Sequence, residues 1–468
     1  MVKFCKYLEN MHHLSDYFVI LAAKTNRIMR KSLIVTIIAC AFVLLGMASC
    51  DKNVYNEKTH QELIHYYSAV DSVDQQHMWM LSQTKSLRYQ VPSGSKYEQL
   101  RIYTANPLTN KSAELMNQIY VSSGKSGVLS IDVPYQLTTL YAALVDADNN
   151  LAVTPFASSQ SSVDFTDVTT GKAISSIKPQ TYTYLFEENF PAPGDYDYND
   201  VVLRVSQQRT AKNQITVNVT LAAVGADNLI AGCIRLVGYK YEDIDSVYTV
   251  SGESFNDGIN DQTLYPFGNI FSDKDVVRSH LVMGRNKEAV LNLFCDAHWA
   301  MAFNVSTEYG LFKRKKYNVS TSTGDNYQLR STRTLSYVVT FKNDDNHKSV
   351  ISSLDNFTPN TLDPFIINDY NNGNFEIHIE QFKDARVMTL TEYDVPSFKD
   401  LPWALMVPQA EFLYPLEGIE IGYRKKTESG KVAMFGAYTT IGHSFGEWAE
   451  DRNNYLDWYL YPDKSQTF

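Results

Sequence analysis

From about residue 84 to its C-terminus the chain is patterned with a period of two, and clusters of Gly, Pro, Asn and Asp break the runs. Leu100–Tyr103, Gly127–Val133 and Thr139–Leu144 read as strands, with Asp146-Ala147-Asp148-Asn149-Asn150 as a hairpin turn. They predict a small β-sandwich over residues 84–160, and the polar run Ala157–Ser162 reads as its linker to a second domain. Beyond it, Val201–Val205, Ile215–Val224, Ile230–Val237, Ala289–Phe294, Leu335–Phe341, Phe375–Ile379 and Gly418–Tyr423 alternate apolar and polar residues or are wholly apolar. Strand after strand without helical crossovers predicts a second, larger β domain over 166–468, a two-lobed sandwich or jelly roll. Helical spacing is confined to His60–Met80, where Leu63, Ile64, Tyr67, Val70, Val73 and Trp79 recur, and to single turns within Arg285–Ala302 and Ser444–Glu450. The fold class expected is therefore all-β.

The first 49 residues read as a leader rather than as fold. Arg30-Lys31 is followed by the apolar run Ser32–Leu45, too short for a mature span, and then by Gly46-Met47-Ala48-Ser49-Cys50. Small residues before a cysteine resemble a lipobox, so Cys50 is expected to be lipidated and to become the mature N-terminus. The polar extension ahead of Arg30 suggests that initiation occurs at Met29. Residues 50–83 then form a tether and helix. Asp51-Lys52-Asn53 offers a single acidic residue after the anchor, which favours the outer membrane and leaves the leaflet open.

Composition sharpens this picture. Thirty-one tyrosines suit half-buried strands and an extracellular recognition surface. A net charge of −10 argues against nucleic acid as a partner, since phosphate binding needs clustered Lys and Arg. After processing, Cys233 and Cys295 remain beside Cys50, both in apolar runs; the sequence leaves open two buried thiols or one disulfide.

The chemistry is concentrated in Phe186–Leu203, where Glu187, Glu188, Asp195, Asp197 and Asp200 fall without a basic residue between Lys178 and Arg204. Two like charges roughly 5 Å apart repel by about 3 kcal/mol at an effective dielectric near 20, so such a loop calls for a cation. Asp195, Asp197, Asn199 and Asp200 are hard oxygen donors suited to Ca²⁺, with Glu187 or Glu188 contributing from the strand end. The loop is not an EF-hand: counted from Asp195, its sixth position is Asp200 instead of Gly and its twelfth Ser206 instead of Glu.

The run Gly194-Asp195-Tyr196-Asp197-Tyr198-Asn199-Asp200-Val201-Val202 resembles the signature of the LruC-type domain of surface lipoproteins of Bacteroidota and spirochaetes. The likeness continues through Ile215–Ala226, Asp363–Ile366, Glu376–His378, Pro402–Leu405, Pro408, Phe412–Glu417, Trp448-Ala449 and Asp457–Tyr459, covering about 180–462. Glu188 departs from the Asp expected there. The resemblance implies a fold and an envelope address more than an activity.

Two motifs lead nowhere. Gly442-His443-Ser444-Phe445-Gly446 fits a nucleophile elbow, but no histidine follows His443 to serve as base. Gly124-Lys125-Ser126 lacks the first glycine of a phosphate loop, since position 119 is Ile119. His378, between Ile377 and Ile379, reads as an outward or interlobe polar residue, and Trp403, Trp448 and Trp458 as packing. The expectation is a non-enzymatic, lipid-anchored envelope protein with a structural Ca²⁺, displaying or binding a glycan or protein. A carbohydrate-active enzyme or glycan-binding component and a surface-appendage subunit are the alternatives.

Overall fold

The computed structural model describes residues 73–190, 194–259, 274–302, 315–324, 326–368, 374–389, 401–426 and 432–468. Cys50, the leader and the helix expected before residue 73 lie outside them. The N-terminal strands are β1 (Ser82–Gln90), β2 (Tyr97–Tyr103), β3 (Leu115–Tyr120), β4 (Ser126–Pro134), β5 (Thr139–Asp146), β6 (Leu151–Ala157) and β7 (Thr169–Gly171). A two-stranded sheet, β1-β4, packs on a five-stranded one ordered β3-β2-β5-β6-β7. Leu87, Leu129 and Ile131 from one sheet meet Leu100, Ile102 and Leu144 from the other.

The larger body comprises β8 (Thr181–Phe186), β9 (Val201–Ala211), β10 (Gln214–Ala223), β11 (Ile230–Lys240), β12 (Ile244–Thr249), β13 (Leu281–Met283) and β14 (Glu288–Phe294). After a short parallel pair, β15 (Lys316–Tyr317) and β16 (Tyr327–Gln328), come β17 (Arg333–Phe341), β18 (Leu362–Asn368), β19 (Phe375–His378) and β20 (Ala404–Val407). A last hairpin pairs β21 (Tyr423–Lys426) with β22 (Val432–Phe435). Six strands, β12-β17-β10-β9-β8-β20, form one antiparallel sheet, and five, β13-β14-β11-β18-β19, form the second. The chain is thus an all-β protein of packed antiparallel sheets.

Strand β10 shows how sequence fixes this arrangement. Ile215, Val217, Val219 and Leu221 are buried and the residues between them are half-buried. Together with Leu291 and Leu293 of β14 they belong to the core between the sheets. A one-residue slip would turn all four outward, at about 1.5–3 kcal/mol each, so the register is strongly held. The wholly apolar run Val201-Val202-Leu203 has a different cause: both faces of its sheet are covered. Leu203 faces the second sheet, whereas Val202, Leu185 and Leu405 face an aromatic cluster of Phe412, Tyr438, Phe445, Trp448 and Trp458 from the C-terminal segment.

Several expectations change. Val73–Met80 is not helical: Met80 bridges Met406 in parallel, and Trp79 stacks on His77 at 3.9 Å and meets Trp448 edge-on at 5.5 Å. The spacing of its apolar residues reflects an extended segment entering an aromatic cluster. Past residue 160, Val163 and Phe165 join the small sandwich's core and β7 joins its sheet, so that body runs to Gly171 instead of ending in a free linker. Gly418–Gly422 is turn, with positive φ at both glycines, and β21 begins only at Tyr423. His378 is not outward: it is buried between Asp363 and Glu376, whose oxygens lie 2.9 and 3.2 Å from its ring nitrogens. Although burial opposes its charge, Asp363 and Glu376 raise its pKa to about 9. Cys233 and Cys295 are buried free thiols. Ser444 is fully buried as the N-cap of helix Phe445–Glu450, its Oγ donating to Glu447 at 2.7 Å, so it is no nucleophile elbow.

Candidate metal centre

The acidic stretch is the connection between β8 and β9, neighbours in the middle of the six-stranded sheet, with Phe186 paired to Val201. Its alternation of Asp and Tyr has a physical reason. Tyr196 and Tyr198 both take left-handed backbone, φ 56° and 54°, which for a non-glycine residue costs of order 1–3 kcal/mol. Burial of both rings in the aromatic cluster offsets that strain. Tyr198 donates its hydroxyl to the Pro402 carbonyl at 2.7 Å, and Tyr196 O accepts the Ile421 amide at 2.7 Å. The tyrosines are the anchors, and the residues between them carry the polar chemistry.

Ligand atoms of Glu187, Asp195 and Asp197 lie within 4.8 Å of one another, the one such group among the described residues. Glu187, fully buried, accepts the Tyr198 amide at 2.6 Å through Oε1. Asp197 accepts the Asn199 amide at 3.1 Å and the Gly418 amide at 2.8 Å. Asn199 donates Nδ2 to the Pro415 carbonyl at 3.2 Å. Asp195 is the solvent-facing member. Burial, then repulsion from Asp195 and Asp197, pushes the Glu187 carboxyl well above its ordinary range. Burial, then Asp195 and Glu417, does the same to Asp197.

Glu417 was not among the candidates drawn from the sequence. Its Oε1 binds Lys316 Nζ at 2.6 Å, and Lys316 also lies 3.3 Å from Asp227. Burial works against the Lys316 charge, but Glu417 and Asp227 outweigh it and raise its pKa. Three buried side-chain oxygens, Glu187 Oε2, Asn199 Oδ1 and Glu417 Oε2, accept no hydrogen bond from the protein. An oxygen in that position normally has a donor, so these three are the atoms a cation would satisfy. Two glycines make the room: a Cβ at Gly194 would overlap Glu187 Oε2, and one at Gly225 would overlap Asn199 Oδ1 and come within 3.0 Å of Glu417 Oε2. Hard oxygens in this number suit Ca²⁺.

Glu188 and Asp200 are used differently from expectation. Glu188 Oε1 and Oε2 accept the amides of Asp227 and Asn228 at 2.7 and 2.8 Å, so this carboxylate clamps a turn and does not join the cluster. Successive residues leaving a strand point to opposite sides, which separates Glu188 from Glu187. Asp200 Oδ2 accepts the Glu188 amide at 2.6 Å and ties the two ends of the loop together. Burial, then Glu188 and Glu187, raises its pKa well above the usual range.

The strands that follow the loop belong to a recognisable class. A family described as a domain of unknown function (DUF4842) matches residues 213–459. The chain belongs to that family, and the matched region includes Gly225, Lys316 and Glu417 but begins after the acidic loop. A crystal structure from Bacteroides ovatus, provisionally described as a lipoprotein, is similar at a TM-score of 0.46 and 14% identity, over 80% of this chain and 99% of that one. No curated protein matches.

Proposed function

We propose that this chain is a non-enzymatic, lipid-anchored envelope protein whose large β domain is held at the β8–β9 loop by a structural Ca²⁺. The observation that carries the reading is the set of buried, donorless oxygens on Glu187, Asn199 and Glu417 beside Asp195 and Asp197. Glu187, Asp195, Asp197, Asn199 and Glu417 would hold the ion. A bound divalent cation supplies the positive charge that Lys316 alone does not. Anchoring rests on the lipobox before Cys50, and the LruC-type likeness of the 180–462 region favours the outer membrane and its surface, with a glycan or protein as the ligand displayed or bound.

The test is metal analysis of the purified protein with melting in Ca²⁺ and in EDTA. Bound calcium and a lower Tm on chelation are expected, with Mg²⁺ restoring little because it demands octahedral geometry and keeps its waters. Protein free of calcium that melts identically in both buffers refutes the reading.

A further inference from the structure

Val73–Met80 runs as an extended segment over the C-terminal part of the chain. The Asp74 amide donates to the Ala449 carbonyl at 2.9 Å, at the end of helix Phe445–Glu450, and Arg452 Nη1 lies 2.7 Å from both Asp74 oxygens. Met80 bridges Met406 of β20, the outer strand of the six-stranded sheet. Between these two ends the segment is held by one histidine. His77 is buried, accepts the Trp79 amide on Nδ1 at 2.9 Å, and has Nε2 3.1 Å from the Trp448 carbonyl. A carbonyl only accepts, so the ring proton sits on Nε2, and the docked imidazole is the neutral tautomer with Nδ1 bare. Trp79, the residue so bonded, takes left-handed backbone at φ 53°, a conformation unfavourable for a bulky side chain and kept by this bond and by its place in the aromatic cluster.

Both ring nitrogens are thus committed, and a second proton can go only to Nδ1. We propose that Val73–Met80 is an acid-released strap latched by neutral His77: a proton on Nδ1 sets two donors face to face across the Trp79 bond and frees the segment from the aromatic cluster and from β20. The charged groups on the elements packed around the ring are Asp74 on the strap, Glu447 and Glu450 on the helix, and Asp451 and Arg452 just beyond it. Glu447 Oε2 is engaged by Ser444 Oγ at 2.7 Å and by the Gly442 amide at 2.8 Å. Burial outweighs the Trp448 carbonyl and Asp74 and holds the docked imidazole down to about 4, against an ordinary 6.5. The released ring regains water and its ordinary value, so the released strap binds more protons than the docked one. Docking is therefore at full strength above about 6.5 and weakens as pH falls from there to about 4. Asp74 accepts the Gln76 amide, which together with Arg452 keeps its carboxyl below the ordinary range, so it titrates beneath that window. Neither the ion nor the lipid anchor is needed for this latch.

Hydrogen exchange of residues 74–80 in the purified protein, corrected for the intrinsic rate at each pH and compared with β10, tests it. Opening of the strap should rise about tenfold per pH unit from 6.5 to about 4, about 300-fold in all, while β10 stays closed, in Ca²⁺ and in EDTA alike. His77→Asn, whose Oδ1 can replace Nδ1 as the acceptor and does not titrate, should keep the strap closed over the whole range. A strap that stays closed in the unmutated protein, that opens only together with β10, or that opens in Ca²⁺ but not in EDTA overturns the proposal, and so does a variant that follows the parent's pH profile. Should the variant's strap be open at every pH, the parent's His77 ring, followed by NMR, decides: a midpoint near 4 supports the latch, and one near 6.5 with the strap still closed overturns it.

Discussion

Glu187→Gln separates the two roles of the buried carboxylate. The amide keeps an oxygen for the Tyr198 N–H that Oε1 accepts at 2.6 Å, so the loop's internal bond survives. What it removes is a charge within 4.8 Å of Asp195 and Asp197, worth about 3.5 kcal/mol per pair at that separation and an effective dielectric of 20. Without metal, the variant should therefore be more stable than the parent. With Ca²⁺ at a hundred times Kd, the parent gains about 2.7 kcal/mol and the variant little. For a unit of about 400 residues, unfolding entropy near 2.1 cal/mol/K per residue turns that gain into a rise of about 3 °C. The assay is calorimetric melting of both proteins at pH 8, in EDTA and in Ca²⁺. A variant that melts below the parent in EDTA and still responds to Ca²⁺ refutes the argument, because Glu187 would then be neither repelled nor a ligand.

Gly225→Ala, which alters no charged group, should abolish the calcium response, since its Cβ would overlap Asn199 Oδ1 and crowd Glu417 Oε2; melting with and without EDTA checks it. In EDTA the parent should lose stability as pH rises above about 4.5. The folded-state pKa values of Glu187 and Asp197 are raised, so the folded chain binds more protons than the unfolded one and its advantage falls as pH climbs through those values. The Ca²⁺ increment should grow over the same range, because the ion binds the ionised carboxylates. Cys50→Ala should abolish labelling by a palmitate analogue and release the protein from the membrane fraction; among the described residues no helix is long and apolar enough to cross a membrane.

Local pattern made the strands legible and left the site half-read. The alternation of Ile215, Val217, Val219 and Leu221 predicts β10 within one residue at each end, because burying one face is a local constraint. Glu187, Asp195 and Asp197 could be chosen from the charge of one loop. Glu417 could not, since nothing in the run Pro415-Leu416-Glu417 announces which carboxylate it will meet. Between Glu187 and Glu188, which the sequence left as alternatives, the structure places Glu187 beside Asp195 and Asp197 and turns Glu188 to the amides of Asp227 and Asn228. The helix expected through Met80 failed because Val73 and Trp79 pack against an aromatic cluster assembled from residues near the other end of the chain.

That long reach also governs when the centre can form. Asp197 is bonded to Gly418 across 221 residues and Asn199 to Pro415 across 216. Contacts of such separation wait on the loop closures between them, which places them late in folding. In a growing or still unfolded chain the carboxylates of the β8–β9 connection are hydrated and apart from Glu417, and their mutual repulsion is felt only as the C-terminal segment docks. The acidic loop thus sets a threshold at the end of the folding path as well as a term in the final stability.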